Sequence, residues 1–132
     1  MRRKRVLIVD DEASLTRLLK ASLEITGTYE VQEAYSGAEG LAKAESFRPD
    51  IILLDIVMPD MSGYDVVSSL RANGRFLHIP IVFLTAIARD SVDKGLASAF
   101  DDMPCLIKPM KIEEVIAVIE QQLQKDFRNT FA

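Results

Sequence analysis

The run Ile51-Ile52-Leu53-Leu54, which ends directly in Asp55, constrains the fold more than any other stretch of the sequence. Four consecutive branched apolar residues are typical of a strand buried on both faces, and such strands belong to parallel sheets covered by helices. In an open parallel sheet, ligands bind just outside the carboxyl ends of the strands. We therefore predict that Asp55 lies at the mouth of a ligand-binding cleft.

Three other short apolar runs, and one weaker strand pattern centred on Val31, alternate with helical patterns on both sides of this strand. The remaining strands are predicted at residues 6–9, 29–34, 79–84 and 105–107. Alternation of this kind predicts an α/β fold with a doubly wound, five-stranded parallel sheet and helices on both faces. Right-handed crossovers place all five strand ends on one edge of the sheet. The strand order expected for such a sheet is 2-1-3-4-5.

Apolar residues at helical spacing predict which helix faces are buried. These residues are Leu15, Leu18 and Leu19, then Ala38, Leu41 and Ala42, then Tyr64, Val67 and Leu70, and finally Ile112, Val115, Ile116, Ile119 and Leu123. Ser36 and Glu39 match a capping box, and Ser62 is expected to cap the next helix. A further helix is predicted over residues 89–100. Residues 1–125 are predicted to form one domain, followed by a tail at 126–132.

Composition narrows the classes of function. The chain has 132 residues, a formal net charge of −4 and a single cysteine, Cys105. This length suits one domain, and the acidic balance argues against a direct nucleic-acid partner. No apolar stretch approaches the roughly 20 residues that span a bilayer, so membrane insertion is not expected. One cysteine without an internal partner fits the reducing cytoplasm, which is the location we expect.

Polar residues follow four of the five predicted strands. Asp10 and Asp11 follow the first strand, Asp55 the third, Thr85 the fourth and Lys108 the fifth. Three carboxylates that converge at one edge repel one another by about 4 kcal/mol per close pair at an effective dielectric constant of about 20. Either one of them keeps a proton or a cation lies among them. Oxygen ligands without histidine or cysteine favour a hard ion such as Mg²⁺.

Thr85 and Lys108 add phosphate chemistry to this acidic cluster. A hydroxyl donates a hydrogen bond to a phosphoryl oxygen, and an ammonium supplies a positive charge. Together with Mg²⁺, these groups predict a site for a phosphoryl group. Asp55 is the carboxylate best placed to act as a nucleophile and form an acyl phosphate.

The sequence resembles the receiver domain of two-component response regulators, specifically the single-domain, chemotaxis-regulator-like kind with a flavodoxin-like fold. The resemblance spans residue 5 to about residue 125. Its motifs are residues 6–12 (VLIVDDE), 53–63 (LLDIVMPDMSG), 79–86 (IPIVFLTA) and Lys108-Pro109.

The resemblance implies a role for each of these residues. Asp55 takes a phosphoryl group from a sensor histidine kinase or a histidine phosphotransfer protein. Asp10, Asp11, Asp55 and the backbone carbonyl of Val57 hold Mg²⁺. The phosphoryl oxygens contact Thr85 and Lys108, and the Lys108–Pro109 peptide bond is cis. The phosphorylated domain then changes its binding to a downstream effector protein.

One departure from the family pattern affects the expected output. Cys105 occupies a position that is aromatic in many receivers, and the stretch before it is Asp101-Asp102-Met103-Pro104 instead of Gly-Ala-Asp-Asp. A phosphorylation-independent interaction module is therefore an alternative function. A second alternative is an aspartyl-phosphate phosphohydrolase. Such enzymes usually have a second aspartate two residues after the nucleophile, where this chain has Val57.

Overall fold

The computed structural model describes residues 2–86 and 102–131, with side chains described as far as Lys125. The elements follow in the order β1 (Lys4–Val9), α1 (Ala13–Ile25), β2 (Tyr29–Ala34), α2 (Gly37–Phe47), β3 (Ile51–Asp55), α3 (Gly63–Ala72), a 3-10 turn (Gly74–Phe76), β4 (Ile81–Thr85), β5 (Cys105–Ile107) and α4 (Ile112–Phe131). The predicted helix over residues 89–100 lies outside the described residues.

The strands form one parallel sheet in the order β2-β1-β3-β4-β5, which confirms the predicted topology. Val9 pairs with Leu54, Asp55 with Leu84, and Thr85 with Ile107. The ends of β1, β3, β4 and β5 therefore lie side by side at the carboxyl edge of the sheet.

Two hydrophobic clusters, one on each face of the sheet, enclose β3. Ile52 and Leu54 belong to the cluster that packs against α2 and α3, whereas Ile51 and Leu53 belong to the cluster that packs against α1 and α4. All five residues of β3 are buried, as the apolar run predicts. A strand held from both faces gives Asp55 a rigid base.

The packing of α2 differs from its prediction. Ala38 and Ala42, which we expected to face inward, are exposed, and Leu41 is half-buried. The buried residues are Gly37, Gly40, Ala44 and Phe47. A Cβ at Gly40 would lie 2.8 Å from Cγ1 of Val9, so the missing side chain lets α2 approach β1 closely. Glycine does not count as apolar in a periodicity analysis. The predicted buried face of α2 was therefore wrong, because two of its buried residues are glycines.

The capping residues at the helix N-termini agree more closely with the predictions from the sequence. Ser62 caps α3 in a full capping box with Asp65, whereas Ser36 accepts a hydrogen bond from the Glu39 amide only. The Glu39 carboxylate instead accepts a hydrogen bond at 2.8 Å from the amide of Tyr35, one residue before the cap.

One expectation about α1 also needs revision, whereas the domain boundary at residue 125 stays a prediction. Leu18 was expected on the buried face of α1, but it is 64% exposed. The backbone of α4 continues to Phe131, through most of the segment predicted as a separate tail. Among the described residues, no helix combines the length and apolar character needed to cross a membrane.

Candidate functional site

Polar groups from four adjacent strand ends meet at the carboxyl edge of the sheet. Asp10 directly follows β1, Asp55 ends β3, Thr85 ends β4 and Lys108 directly follows β5. Asp10, Asp55 and Thr85 are all buried, and only 13% of the Lys108 side chain is exposed. The structure thus brings together the residues that the sequence placed at one edge.

The three aspartates form a compact group of carboxylates. One oxygen from each of Asp10, Asp11 and Asp55 lies within 4.8 Å of the others. Asp11 is exposed, whereas the other two are buried, so the group opens to solvent on one side. A cluster of hard oxygen donors with solvent access fits Mg²⁺, which retains waters and accepts one or two carboxylates.

Lys108 is the cation that faces this cluster. Its Nζ lies 2.7 Å from Oδ2 of Asp10 and 3.7 Å from Oδ2 of Asp55. Burial disfavours its charge, but the hydrogen bond and the charge of Asp10, helped by Asp55, outweigh burial and raise the pKa of Lys108. The ammonium therefore stays charged and lies closer to Asp10 than to Asp55.

The surroundings of Asp55 shift its pKa strongly. Burial and the negative charge of Asp10 raise its pKa to about 7, against partial compensation by Lys108 and by the Val57 amide. That amide donates a hydrogen bond of 3.3 Å to Oδ1 of Asp55. Positive charge in addition to Lys108 is thus needed to keep Asp55 fully ionised near neutral pH.

Short-range hydrogen bonds fix the acidic loop after β1. Oδ1 of Asp10 accepts a hydrogen bond of 2.9 Å from the Glu12 amide. The buried Thr16 hydroxyl contacts the carbonyls of Asp10 at 3.3 Å and Glu12 at 2.9 Å. Sequence reasoning missed Thr16, because a threonine inside a helix carries no pattern that sets it apart.

The loop after β3 folds back on the strand end. The amide of Ile56 donates to the carbonyl of Leu84 at 3.1 Å, and the amide of Gly63 donates to the carbonyl of Ile56 at 2.7 Å. A Cβ at Gly63 would lie 2.5 Å from the Asp55 carbonyl oxygen. Only glycine fits this close approach, which gives a physical reason for the Ser62-Gly63 pair that closes the motif.

The structure also gives the positions of the remaining predicted residues, whose roles stay predictions. Val57 follows Asp55 by two residues and is 57% exposed. The carbonyl of Thr85 accepts a hydrogen bond of 2.8 Å from the Lys108 amide, which ties the ends of β4 and β5 together. The Lys108–Pro109 peptide bond is cis, as the resemblance implies. Cys105 pairs with Phe83 in the sheet and packs, half-buried, against the core.

Comparison with known proteins identifies the class of this domain. Residues 6–120 match the sequence model of the family described as the response regulator receiver domain. The chain therefore belongs to this family of two-component signalling domains.

Particular relatives support the same assignment. The chain is 36% identical over 126 residues to the DNA-binding dual master transcriptional regulator RpaA of Synechocystis, covering 94% of this chain and 51% of that protein. It is 40% identical over 124 residues to the transcriptional regulatory protein TrcR of Mycobacterium tuberculosis, covering 92% of this chain and 46% of that protein. The solved structure of the Vibrio cholerae chemotaxis protein CheY4 matches with a TM-score of 0.81 and 31% identity, covering 92% of this chain and 99% of CheY4.

The chain spans about half the length of these two transcriptional relatives. Because RpaA is named a DNA-binding protein, the predicted absence of a nucleic-acid partner is not confirmed. That expectation rested on the net charge of this chain, and net charge alone does not decide the partner of a domain.

Proposed function

We propose that this domain is a phosphoacceptor switch in which Asp55 receives a phosphoryl group from a phosphohistidine of a sensor kinase or phosphotransfer protein. The observation that carries the proposal is the cluster of three carboxylates, two of them buried, with the Lys108 ammonium 3.7 Å from Oδ2 of Asp55. A cluster this acidic attracts a metal ion, and the adjacent cation suits the phosphoryl oxygens.

The proposed transfer is a displacement at phosphorus. Oδ2 of Asp55 forms the new phosphorus–oxygen bond, and the bond between phosphorus and the donor imidazole nitrogen breaks. The leaving imidazole takes up a proton, and Asp55 becomes an acyl phosphate. Asp10, Asp11, Asp55 and the Val57 carbonyl would hold Mg²⁺, which neutralises charge on the phosphoryl oxygens when bound.

Lys108 and Thr85 are the groups that would respond to the product. Phosphorylation adds roughly 1.5 to 2 negative charges at Asp55. The Lys108 ammonium then gains a stronger partner than Asp10, and we expect it to shift toward the phosphoryl group. Thr85 is the last residue of β4, and Lys108 directly follows β5. A shift of Lys108 therefore biases the conformation of the adjoining loops and helices, and this change alters the binding of an effector protein.

The test uses a small phosphodonor and two aspartates at opposite ends of β3. Wild-type protein, Asp55→Asn and Asp50→Asn are incubated with Mg²⁺ and acetyl phosphate and then measured by intact mass spectrometry. Asp50 directly precedes β3 and lies far from the acidic cluster, so it is the matched control. One phosphoryl group is expected on wild type and on Asp50→Asn, and none on Asp55→Asn. Full labelling of Asp55→Asn would refute the assignment.

The two alternatives give different results in simple assays. A phosphohydrolase would turn over small phosphate monoesters continuously, but Val57 stands where those enzymes usually have a second aspartate. A phosphorylation-independent module would bind its effector equally well with or without the acyl phosphate. We expect neither behaviour, because a structural role alone does not require three crowded carboxylates beside a buried lysine.

A further inference from the structure

The loop between β3 and α3, residues 56–62, contacts α2 as well as the strand end. Asp60 lies in this loop, three residues beyond Val57. Its Oδ1 accepts a hydrogen bond of 3.1 Å from the Gly37 amide, and its Oδ2 accepts one of 3.0 Å from the Ala38 amide. These amides belong to the first turn of α2, where backbone N–H groups have no partner within the helix.

The electrostatics of this contact favour an ionised Asp60. The hydrogen bonds from the Ala38 and Gly37 amides lower the pKa of Asp60. The positive end of the α2 dipole adds to this attraction. Asp60 thus caps α2 from a different segment of the chain, 23 residues from Gly37.

Met61 provides a second, independent link between the same two segments. A Cβ built on Gly37 would overlap Cγ of Met61 and would lie 2.7 Å from its Sδ. The Met61 side chain therefore fills the space that glycine leaves at the start of α2. Polar and apolar contacts together hold the loop against this helix.

Val57 is an exposed residue in this loop, between two buried neighbours. Ile56 and Met58 are buried, and Val57 between them is 57% exposed. The strand end fixes the loop on one side, and Asp60 fixes it on the other. Without Asp60, the loop keeps the hydrogen bond from the Val57 amide to Asp55 but loses its hydrogen bonds to the first turn of α2.

We infer that Asp60 is a positioning residue for the proposed metal site, because it ties the loop that contains Val57 to the first turn of α2. The inference rests on the proposed function, since it assumes that the Val57 carbonyl is a metal ligand. It adds that the position of α2 and the affinity for Mg²⁺ are coupled through Asp60.

The experiment measures Mg²⁺ affinity by calorimetry in wild type, Asp60→Asn and Asp60→Ala, with Glu45→Gln as the control. Glu45 is an exposed carboxylate near the other end of α2. Loss of a residue that supports a metal ligand typically weakens binding by about tenfold or more. We expect a loss of about tenfold for Asp60→Ala, a smaller loss for Asp60→Asn, which keeps one acceptor oxygen, and no change for Glu45→Gln.

Hydrogen exchange of the Gly37 and Ala38 amides, followed by NMR, reports directly on the contact. Faster exchange in Asp60→Ala with a Mg²⁺ affinity within twofold of wild type would overturn the inference and leave the proposed function intact. If wild type itself bound no Mg²⁺, the proposed function would fail as well. The two failures are therefore distinguishable.

A second pair of variants tests the coupling without removing a charge. Gly37→Ala should displace Met61 and weaken Mg²⁺ binding several-fold. Adding Met61→Ala makes room for the new methyl group, so the double variant should recover affinity relative to Gly37→Ala. Failure of this recovery, with both variants folded, would contradict a link through α2.

Discussion

The two edges of the sheet hold charges of different kinds. At the carboxyl edge, the pair between Lys108 and Asp10 has side chains only 13% and 0% exposed. At the amino edge, the pair between Arg75 and Glu45 is 50% and 48% exposed. Buried charges interact strongly and shift pKa values, whereas exposed pairs contribute little because water and salt screen them.

The amino edge also has a cleft, but its charges are paired. A cleft of about 360 Å³ lies at the amino edge, between the end of α2 and the 3-10 turn. Asp50 in its lining pairs with Arg2, and Arg75 pairs with Glu45, so these charges are balanced. At the carboxyl edge, three aspartates face one lysine among the described residues. Unbalanced charge distinguishes the carboxyl edge, where we propose the phosphorylation site, from this cleft.

The largest expected effect contrasts one ion pair from each edge. Lys108→Gln leaves the buried Asp10 without its partner, so we expect a loss of about 3 kcal/mol in the free energy of unfolding without Mg²⁺. Arg75→Gln should cost at most about 1 kcal/mol. Urea unfolding in EDTA measures both. Equal losses for the two variants would remove the contrast between the edges.

Stabilisation of the domain by Mg²⁺ should depend on residues at the carboxyl edge and not on residues at the amino edge. At a Mg²⁺ concentration of 100 times the Kd, a site present only in the folded state adds about 2.7 kcal/mol to the free energy of unfolding. We expect this gain in wild type and in Asp50→Asn, and little of it in Asp10→Asn. Thermal unfolding with and without Mg²⁺ makes the comparison. Full stabilisation of Asp10→Asn would count against the metal site.

The pH dependence of stability should come from Asp55. Its folded-state pKa of about 7 exceeds the ordinary value of 3.8, so the folded state binds more protons than the unfolded state between these values. Stability in EDTA should therefore be greatest below pH 4 for this group and fall as the pH rises toward 7. In Asp55→Asn, the free energy of unfolding should fall less steeply with pH, and the difference in slope should correspond to at most about one bound proton. An unchanged slope would show that Asp55 titrates normally.

The smallest effect concerns the backbone at the amino edge. Arg48 ends α2 with φ of 54°, in the left-handed region that favours glycine. Arg48→Gly relieves this conformation, and we expect a gain of about 1 kcal/mol in the free energy of unfolding. Its Mg²⁺ affinity should equal that of wild type, because Arg48 lies at the edge remote from the acidic cluster. A change in Mg²⁺ affinity would show that the two edges are coupled.

Most of the fold was predictable because its signals are local. The apolar run before Asp55 specifies a strand buried on both faces. Three of the other four strands have apolar runs of their own, and β2 has a weaker pattern centred on Val31. Turn residues such as Gly27 and the Ser62-Gly63 pair mark the element ends. The face of α2 was not predictable, because it depends on how closely Gly40 approaches Val9 on β1.

The candidate site was predictable in membership and not in geometry. Parallel strands end at one edge, so the sequence was enough to gather Asp10, Asp55, Thr85 and Lys108. It did not indicate that Lys108 lies closer to Asp10 than to Asp55, or that burial raises the pKa of Asp55. Those facts depend on side-chain positions set by packing across neighbouring strands.

By itself, the sequence determined the alternation of strands and helices, the buried central strand and the residue types at the carboxyl edge, since these depend on local patterns. The strand order was an expectation from the fold class, and the pairing of the strands confirms it. Only the tertiary structure decided that Lys108 pairs with Asp10, and that Asp60 caps α2 while Gly37 makes room for Met61. These contacts join residues more than 20 positions apart in the chain. Their distances follow from how helices and loops settle against the sheet, which no local pattern of residues encodes.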